Sequence, residues 1–479
     1  MRRAFALLLV LALGCVPSAG LDDDERPAAS SNTEVPPPTA SFRDLNGVLW
    51  FYNTADGIRF EDITADLDDL HARGIRILGF YAPYDGDPEK WLGCDPLDFY
   101  RAPPQSGTED DWRALVGAAH ERGMRVVAYF VNIYVDRASE LFVSAERQFA
   151  AGDRTSREVD AFTWTDDPAA PLPEPAAGPS AWQRSDVAGA WYWSLWGEAG
   201  LDHTRAGALD EIERFERFWL DTGLDGFMFD AAFVDPAFRR AMVELPTTHS
   251  ASDKWLTFES TEAEHADAYD AFGLTSWFNL YDEDCENDYA LVAFGDWTIG
   301  DLEQGLAHAD HARQLGKLTH AWSIWQDGEC PEYPDEERMR VQEAALLAGA
   351  GITYGAPHSE QYQAWAPTLR ADWEQVLITV AANPALFPSA SRARVPAGSD
   401  PQSYAMLRTA SDGSQTALLV YNLQDVAAQL DVDLTATDVL AQQQPLDLYA
   451  GAASAAILDA HYLVELPPWG FQLLEVATE

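Results

Sequence analysis

Short runs of apolar, β-branched and aromatic residues alternate with longer amphipathic segments through most of the chain. The first run, 48–52, is followed by the segment DITADLDDLHARG, in which apolar residues recur three to four positions apart. Short apolar runs predict buried strands, and the segments between them predict helices. Eight runs of this kind occur, at 48–52, 75–81, 125–134, 226–229, 255–258, 276–280, 318–325 and 352–354.

Eight strands interleaved with helices predict an α/β fold of the (β/α)8 TIM-barrel type, with a doubly wound sheet as the weaker alternative. In such a barrel the active site lies where the carboxyl ends of the strands lead into loops. We therefore expect functional side chains directly after the apolar runs.

The pattern of apolar and polar residues changes near residue 391. Segments such as TALLVYNLQ and QLDVDLTAT alternate apolar and polar residues between polar turns, which predicts a C-terminal antiparallel β-sandwich over 391–479. The barrel then occupies 46–390, with a long insertion at about 138–200 that contains the aromatic cluster WYWSLW. Long loops inside compact domains are commonly functional.

The N-terminus has the layout of an export signal. Arg2 and Arg3 precede a short apolar run that ends in Ala-Leu-Gly-Cys, which resembles the lipobox of bacterial lipoproteins. We expect a signal peptide at 1–14, a lipid anchor on Cys15 and a disordered tether over 15–45, which together predict a cell-envelope lipoprotein. The alternative is an ordinary signal peptide cut near Ala19 and a secreted protein.

Composition narrows the class of partner. The chain has 31 basic and 78 acidic residues, a formal charge of −47, which argues against nucleic acid as a ligand. With 47% hydrophobic residues it has ample material for a core.

Three cysteines follow Cys15, namely Cys94, Cys285 and Cys330. We favour a disulfide between Cys285 and Cys330. The spacing of the cysteines does not suggest a zinc site.

Three acids directly follow predicted barrel strands. Asp230 ends GLDGFMFD, Glu259 follows WLTF, and Asp327 follows SIWQ. In a barrel all three would meet at one mouth, and a carboxylate nucleophile beside a carboxylic acid is the apparatus of a retaining glycosidase. The competing explanation is chance, because 78 acids place some of them at strand ends in any case.

Four segments in the same order resemble the alpha-amylase family of glycoside hydrolases, over roughly residues 46–476. They are PLDFYRAPPQSGTEDDWRALVGAAHERGMRVV, GLDHTRAGALDEIERFERFWLDTGLDGFMFDAA, ERMRVQEAALLAGAGITYG and LPPWGFQLLEV. The resemblance implies a barrel enzyme that acts on α-glycosidic bonds. Carried over by position, it makes Asp230 the nucleophile, Glu259 the general acid/base and Asp327 the transition-state stabiliser.

The chain departs from the family at several polar positions. Where the family has an Arg that orients the nucleophile and lowers its pKa, this chain has Met228. Tyr129, Ile133 and Tyr134 stand in the third strand in place of the usual Asp, Asn and His, and Trp325-Gln326 replace Asn-His before the third acid.

Two readings of these departures stay open. In one, an active enzyme has rebuilt the subsites for an unusual α-linked carbohydrate, with contacts from Tyr129, Tyr134, Trp193, Met228, His320, Trp325 and Gln326. In the other, the barrel binds glycan at the cell surface without turnover. A barrel hydrolase of another family is the third and weakest reading.

The sequence does not call for a cofactor. The acidic run DEDCEND, at 282–288, has the oxygen ligands that calcium takes, yet such a run is more often a solvated surface. We therefore predict neither a calcium site nor an organic cofactor. For any single aromatic residue near a strand end, packing in the core is the competing explanation.

Overall fold

The structure is a computed structural model. It describes residues 35–42, 45, 48–90, 93–173, 179–230, 236–250, 252–258, 352–355, 366–398 and 402–479, together with the isolated positions 299, 303, 306, 307, 310, 314, 320 and 321.

Within the described residues, seven parallel strands form the central sheet. In chain order they are β1 (Val48–Asn53), β2 (Ile77–Tyr81), β5 (Arg125–Phe130), β11 (Gly226–Phe229), β12 (Trp255–Phe258), β13 (His320–Ala321) and β14 (Ile352–Gly355). Their spatial order is β12-β11-β5-β2-β1-β14-β13.

The first and last of these strands are neighbours, since β1 pairs in parallel with both β2 and β14. This is the order of a (β/α)8 barrel, and it is not the order of the doubly wound alternative, in which the strand sequence reverses in the middle of the sheet. The predicted strand at 276–280 lies outside the described residues.

Helices cover the outer face of the barrel sheet. They are α1 (Phe60–Ala72), α2 (Glu109–Glu121), α5 (Ala206–Leu220), α6 (Pro236–His249) and α7 (Pro367–Ala382), with short 3-10 helices at Thr54–Asp56 and Pro384–Leu386. In α2, a capping box between Thr108 and Asp111 satisfies the first backbone amides. Its buried face includes Trp112, which packs edge-to-face on Phe80 of β2.

The insertion is a small subdomain with its own sheet. Its elements are β6 (Tyr134–Val135), α3 (Glu140–Ala150), α4 (Arg157–Asp160), β7 (Trp164–Thr165), β8 (Ser180–Arg184), β9 (Trp191–Leu195) and β10 (Glu198–Gly200). The sheet has the order β6-β10-β9-β7, and β8 also pairs with β9. A separate two-stranded ladder, β3 (Asp85–Gly86) with β4 (Pro96–Asp98), precedes it in the chain.

The C-terminal region consists of antiparallel strands in two sheets. One has the order β15-β16-β17-β24-β20-β21 and the other β18-β23-β22-β19. The strands are β15 (Ser391–Val395), β16 (Ser403–Thr409), β17 (Thr416–Asn422), β18 (Ala428–Asp433), β19 (Gln442–Gln443), β20 (Leu446–Asp447), β21 (Ala452–Ala453), β22 (Ile457–Leu458), β23 (His461–Leu466) and β24 (Phe471–Val476). Side chains of both sheets share one apolar core, as expected of a β-sandwich.

The predicted tether over 15–45 is too long at its C-terminal end. Phe42 and Leu45 are buried, and the guanidinium of Arg125 lies 3.9 Å from the centre of the Phe42 ring. The Ser41 hydroxyl and the Phe42 amide both donate to the Asp253 carboxylate. An apolar anchor with satisfied polar groups fixes this segment on the barrel, and the sequence pattern was too short to indicate it.

Cys94 lies in the apolar core of the barrel, whereas Cys285 and Cys330 lie outside the described residues, so the expected disulfide stays a prediction. Cys15 also lies outside them. Among the helices of the described part of the chain, none is long and apolar enough to span a bilayer.

Candidate active site

Asp230 lies at the carboxyl end of the barrel sheet. It directly follows β11, is half-buried, and donates its backbone N–H to the Phe130 carbonyl, which extends the ladder between β11 and β5 by one bond. Side chains alternate along a strand. Because Phe227 packs on Phe130, and Phe130 in turn on Phe215 of α5, these rings face the helices. Asp230, three positions after Phe227, therefore faces the barrel interior.

A ring of side chains lies directly below Asp230. In the parallel register Asn53, Tyr81, Tyr129, Met228 and Thr257 are successive partners across β1, β2, β5, β11 and β12. The Tyr81 and Tyr129 ring centroids are 5.7 Å apart, and the exposed fractions of Tyr129 and Met228 are 2% and 4%. Tyr129 and Met228 thus form the floor of the site, and the residue preceding the candidate nucleophile by two positions is apolar.

Tyr134 forms one wall of the site. It is buried in β6, and its hydroxyl donates a 2.9 Å hydrogen bond to Asp95. Burial, and next the carboxylates of Asp95 and Asp230, raises the pKa of the Tyr134 hydroxyl. The Tyr134 hydroxyl therefore stays neutral at every ordinary pH and is within electrostatic range of the Asp230 carboxylate.

A group of three buried acids lies behind Tyr134. Carboxylate oxygens of Asp95, Asp136 and Glu198 lie within 4.8 Å of one another. The Lys90 ammonium contacts all three, at 3.4, 2.5 and 2.8 Å respectively. Burial opposes the charge on Lys90, but its hydrogen bonds to Asp136 and Glu198 prevail and raise its pKa. This group joins the loops after β2, which carry Lys90 and Asp95, to two strands of the insertion sheet, β6, which Asp136 directly follows, and β10, which Glu198 begins.

The aromatic residues of the insertion divide into buried and exposed ones. Trp193 is only 3% exposed and packs on Gly200, where an added Cβ would lie 2.8 Å from the indole ring. It is a packing residue of the insertion sheet, and the structure does not bring it to the solvent side of the site. Trp196 is 51% exposed, and its ring centroid lies 6.2 Å from that of Tyr134.

The other expected site residues cannot be placed. Glu259, Trp325, Gln326 and Asp327 lie outside the described residues, and His320 is described only as a backbone position in β13. The strands that precede Asp230 and Glu259 end level with each other, because Phe229 and Phe258 are register partners.

Sequence reasoning missed Lys90, Asp95, Asp136 and Glu198. No spacing pattern connects these residues, since Lys90 is 46 positions from Asp136 and 108 from Glu198. The one available signal was rarity, because Lys90 is one of three lysines in the chain.

Comparisons with known proteins concern the family and the fold. Residues 39–269 match the family model for the alpha-amylase catalytic domain. The trehalose synthase/amylase TreS of Mycolicibacterium smegmatis is 30% identical over 211 residues, which are 42% of this chain and 34% of that protein. A probable alpha-glucosidase of Rhizobium meliloti is 24% identical over 295 residues, 58% of this chain and 50% of that protein.

The chain therefore spans about a third to a half of these curated relatives. Among solved structures, the alpha-amylase from Geobacillus thermoleovorans, complexed with acarbose, aligns with a TM-score of 0.70 at 15% identity. That alignment covers 92% of this chain and 100% of the other. Residues 39–269, slightly under half of the chain, therefore resemble the alpha-amylase catalytic domain, and the chain shares the fold of that solved alpha-amylase.

Proposed function

We propose that this protein hydrolyses or transfers α-glycosidic bonds of an oligo- or polysaccharide by a retaining double displacement. The observation that carries the proposal is Asp230, a half-buried carboxylate that follows β11 at the mouth of an alpha-amylase-type barrel. Relatives named as trehalose synthase/amylase and probable alpha-glucosidase support α-linked substrates.

In this mechanism Asp230 attacks the anomeric carbon and forms a glycosyl ester. Glu259 protonates the leaving oxygen and then takes a proton from the incoming water or sugar hydroxyl, while Asp327 favours the oxocarbenium-like transition state. Tyr134, held neutral beside Asp230, supplies a hydroxyl on the wall of the site.

Met228 distinguishes this site from one that has the family's Arg two positions before the nucleophile. Met228 brings no guanidinium to its position below Asp230, whose backbone N–H is held by the Phe130 carbonyl. This is also the observation that favours the second candidate function, a glycan-binding barrel without turnover.

The decisive experiment compares the unmutated protein with Asp230→Asn on a panel of α-glucans and α-linked oligosaccharides. We expect product from the unmutated protein, with the α-anomer first in the NMR spectrum, and a loss of kcat by several orders of magnitude in Asp230→Asn. Asp186→Asn is the matched control, because that side chain is fully exposed on the insertion.

Equal turnover by Asp230→Asn would refute the assignment of the nucleophile. A β-anomeric first product would refute retention. Saturable binding of the same glucans without product would replace the enzymatic proposal by the glycan-binding one.

We also propose that the protein is a cell-envelope lipoprotein anchored through Cys15. The docked segment at 35–42 supports this, because it fixes the chain at the end of the barrel opposite Asp230. An anchor attached there leaves the mouth of the barrel free to face away from the membrane.

A further inference from the structure

We propose that Asp95, Asp136 and Glu198 form a cation site of which the Lys90 ammonium is the permanent occupant, in the place that a divalent metal ion would otherwise take. The inference concerns how the insertion is held on the barrel and does not depend on the proposed activity.

The first argument is the geometry of the acids. Their carboxylate oxygens converge within 4.8 Å, and their side chains are only 6–10% exposed. Three carboxylates brought this close repel one another and lose most of their hydration, so the arrangement needs a cation at its centre. Hard oxygen ligands at this spacing are those that calcium prefers.

The second argument is that Lys90 is common to all three acids. Each acid also has contacts of its own: the Tyr134 hydroxyl donates to Asp95, the Ala138 amide to Asp136 and the Arg137 amide to Glu198. The exposed Arg137 guanidinium lies 3.8 Å from Glu198. Of the described side chains, only that of Lys90 contacts all three carboxylates, and it contributes a single positive charge against three negative ones.

The third argument is where the acids come from. Asp95 precedes β4 in the loops after β2, Asp136 follows β6 at the edge of the insertion sheet, and Glu198 begins the neighbouring strand β10. A cation at their centre therefore connects the barrel loops to the β9–β10 hairpin of the insertion, as a structural metal ion would. Because the ammonium of Lys90 is covalently attached to the chain, this connection does not depend on the metal concentration.

The proposal predicts opposite responses to calcium in two variants of the full chain. Lys90→Ala removes the charge and leaves room at the centre, whereas Lys90→Met removes the charge and fills the space with an apolar chain. We expect both to lower the Tm by several degrees in chelator and to increase hydrogen exchange at 191–200.

Calcium should then restore the Tm and the protection of Lys90→Ala only, with one ion per chain and a Kd of about 10⁻⁵ to 10⁻³ M by calorimetry. Adding Asp136→Asn to Lys90→Ala should weaken that binding at least about tenfold. Lys90→Met is the control, because any calcium that it binds must be bound elsewhere on this acidic protein. The unmutated protein should keep the same Tm in chelator and in millimolar calcium.

Three results would overturn the proposal. One is calcium binding by the unmutated protein that Asp136→Asn abolishes, since the site would then take metal with Lys90 in place. Another is equal restoration of Lys90→Ala and Lys90→Met. The third is a Lys90→Ala protein that binds no calcium, or that stays unfolded in chelator and in calcium alike.

Discussion

Among single residues, Glu216 is an ionisable side chain in a fully buried position. It lies on α5 with no exposed surface, and within the described part of the chain neither carboxyl oxygen has a hydrogen-bond partner. Burial raises the pKa of this carboxyl well above its ordinary value; Glu213 adds to the shift and Arg217 opposes it. The folded protein therefore keeps Glu216 protonated at pH values where the unfolded chain ionises it.

This difference makes stability depend on pH. The favourable contribution of the neutral carboxyl is fully present below the unfolded pKa, about 4.3, and is lost as the pH rises toward the higher folded pKa. Glu216→Gln abolishes this loss, so we expect a flatter stability profile above pH 4 and about 1–3 kcal/mol more stability at pH 7–8. Denaturant unfolding at a series of pH values measures it.

Glu121→Gln on the exposed end of α2 provides the control, since it removes an acid that stays solvated. If Glu216→Gln and the unmutated protein show the same pH slope, Glu216 does not hold its proton in the folded state.

At the residue scale, the sequence predicts the features that depend only on position along one strand. The place of Asp230 and the interior direction of Tyr129 and Met228 result from strand alternation and the barrel topology. The contacts of Lys90 cannot be predicted in this way, because they depend on how the insertion packs against the loop that carries Lys90, 108 positions from Glu198. Burial of Trp193 and exposure of Trp196 also depend on that packing.

Among the elements, the hairpin of β9 and β10 carries strain beside the site. Leu195 and Glu198 are paired, so Trp196 and Gly197 form a two-residue turn, and both have positive φ, 48° and 90°. Such a turn favours Asn or Gly at its first position, and a Trp there costs about 1 kcal/mol. A half-exposed indole held in this conformation next to Tyr134 is well suited to stack on a sugar ring.

Trp196→Asn should therefore separate stability from binding. We expect the free energy of unfolding to rise by about 0.5–1 kcal/mol, because Asn tolerates the left-handed conformation, and the KM for α-glucans to rise several-fold with little change in kcat. Val187→Asn removes another exposed apolar side chain of the insertion and should leave KM unchanged. Unchanged KM in Trp196→Asn would exclude this indole from substrate binding.

At the scale of elements, the prediction is most accurate for strands buried on both faces. The strands at 226–229 and 255–258 have the expected bounds, because GFMF and WLTF each end directly before an acidic residue. The run at 125–134 divides into β5 and β6, since the chain leaves the barrel sheet after Phe130 to enter the insertion. WYWSLW forms a strand through pairing with β8 and β10, which its own composition does not specify.

In the whole molecule, the end of the barrel opposite Asp230 is a buried network of charges. Asp225 is fully buried and pairs with Arg125 and His120, at 3.0 and 2.8 Å. Burial alone would raise the pKa of Asp225, but Arg125 and then His120 hold it below its ordinary value. The second nitrogen of His120 lies 2.6 Å from the Pro36 carbonyl, so this ring connects the buried Asp225 to the docked N-terminal segment.

Two of the three lysines of this very acidic chain are likewise structural. Lys90 holds the insertion, and Lys254, only 6% exposed, donates to the Leu224 carbonyl near the same network. The network binds the segment at 35–42 through Arg125 and Asp253. The folded unit therefore begins at or before Val35, and the predicted tether can extend no further than residue 34.

Lipid anchoring through Cys15 and this shorter tether make a joint prediction for the protein in cells. We expect the unmutated chain to be labelled by palmitate and to be found in the membrane fraction, whereas the Cys15→Ser variant should be unlabelled and found in the soluble fraction.

Limited proteolysis of the anchored protein should cut within 16–34. The released product should begin near Val35 and keep the Tm of the intact chain, because the contacts of Phe42 remain. A cut C-terminal to Phe42 should instead lower the Tm, since it uncovers the faces of Arg125 and Trp255 that this ring covers. If the released product begins after residue 45 and is equally stable, the docked segment contributes nothing to the fold, and an unlabelled wild-type chain refutes the anchor.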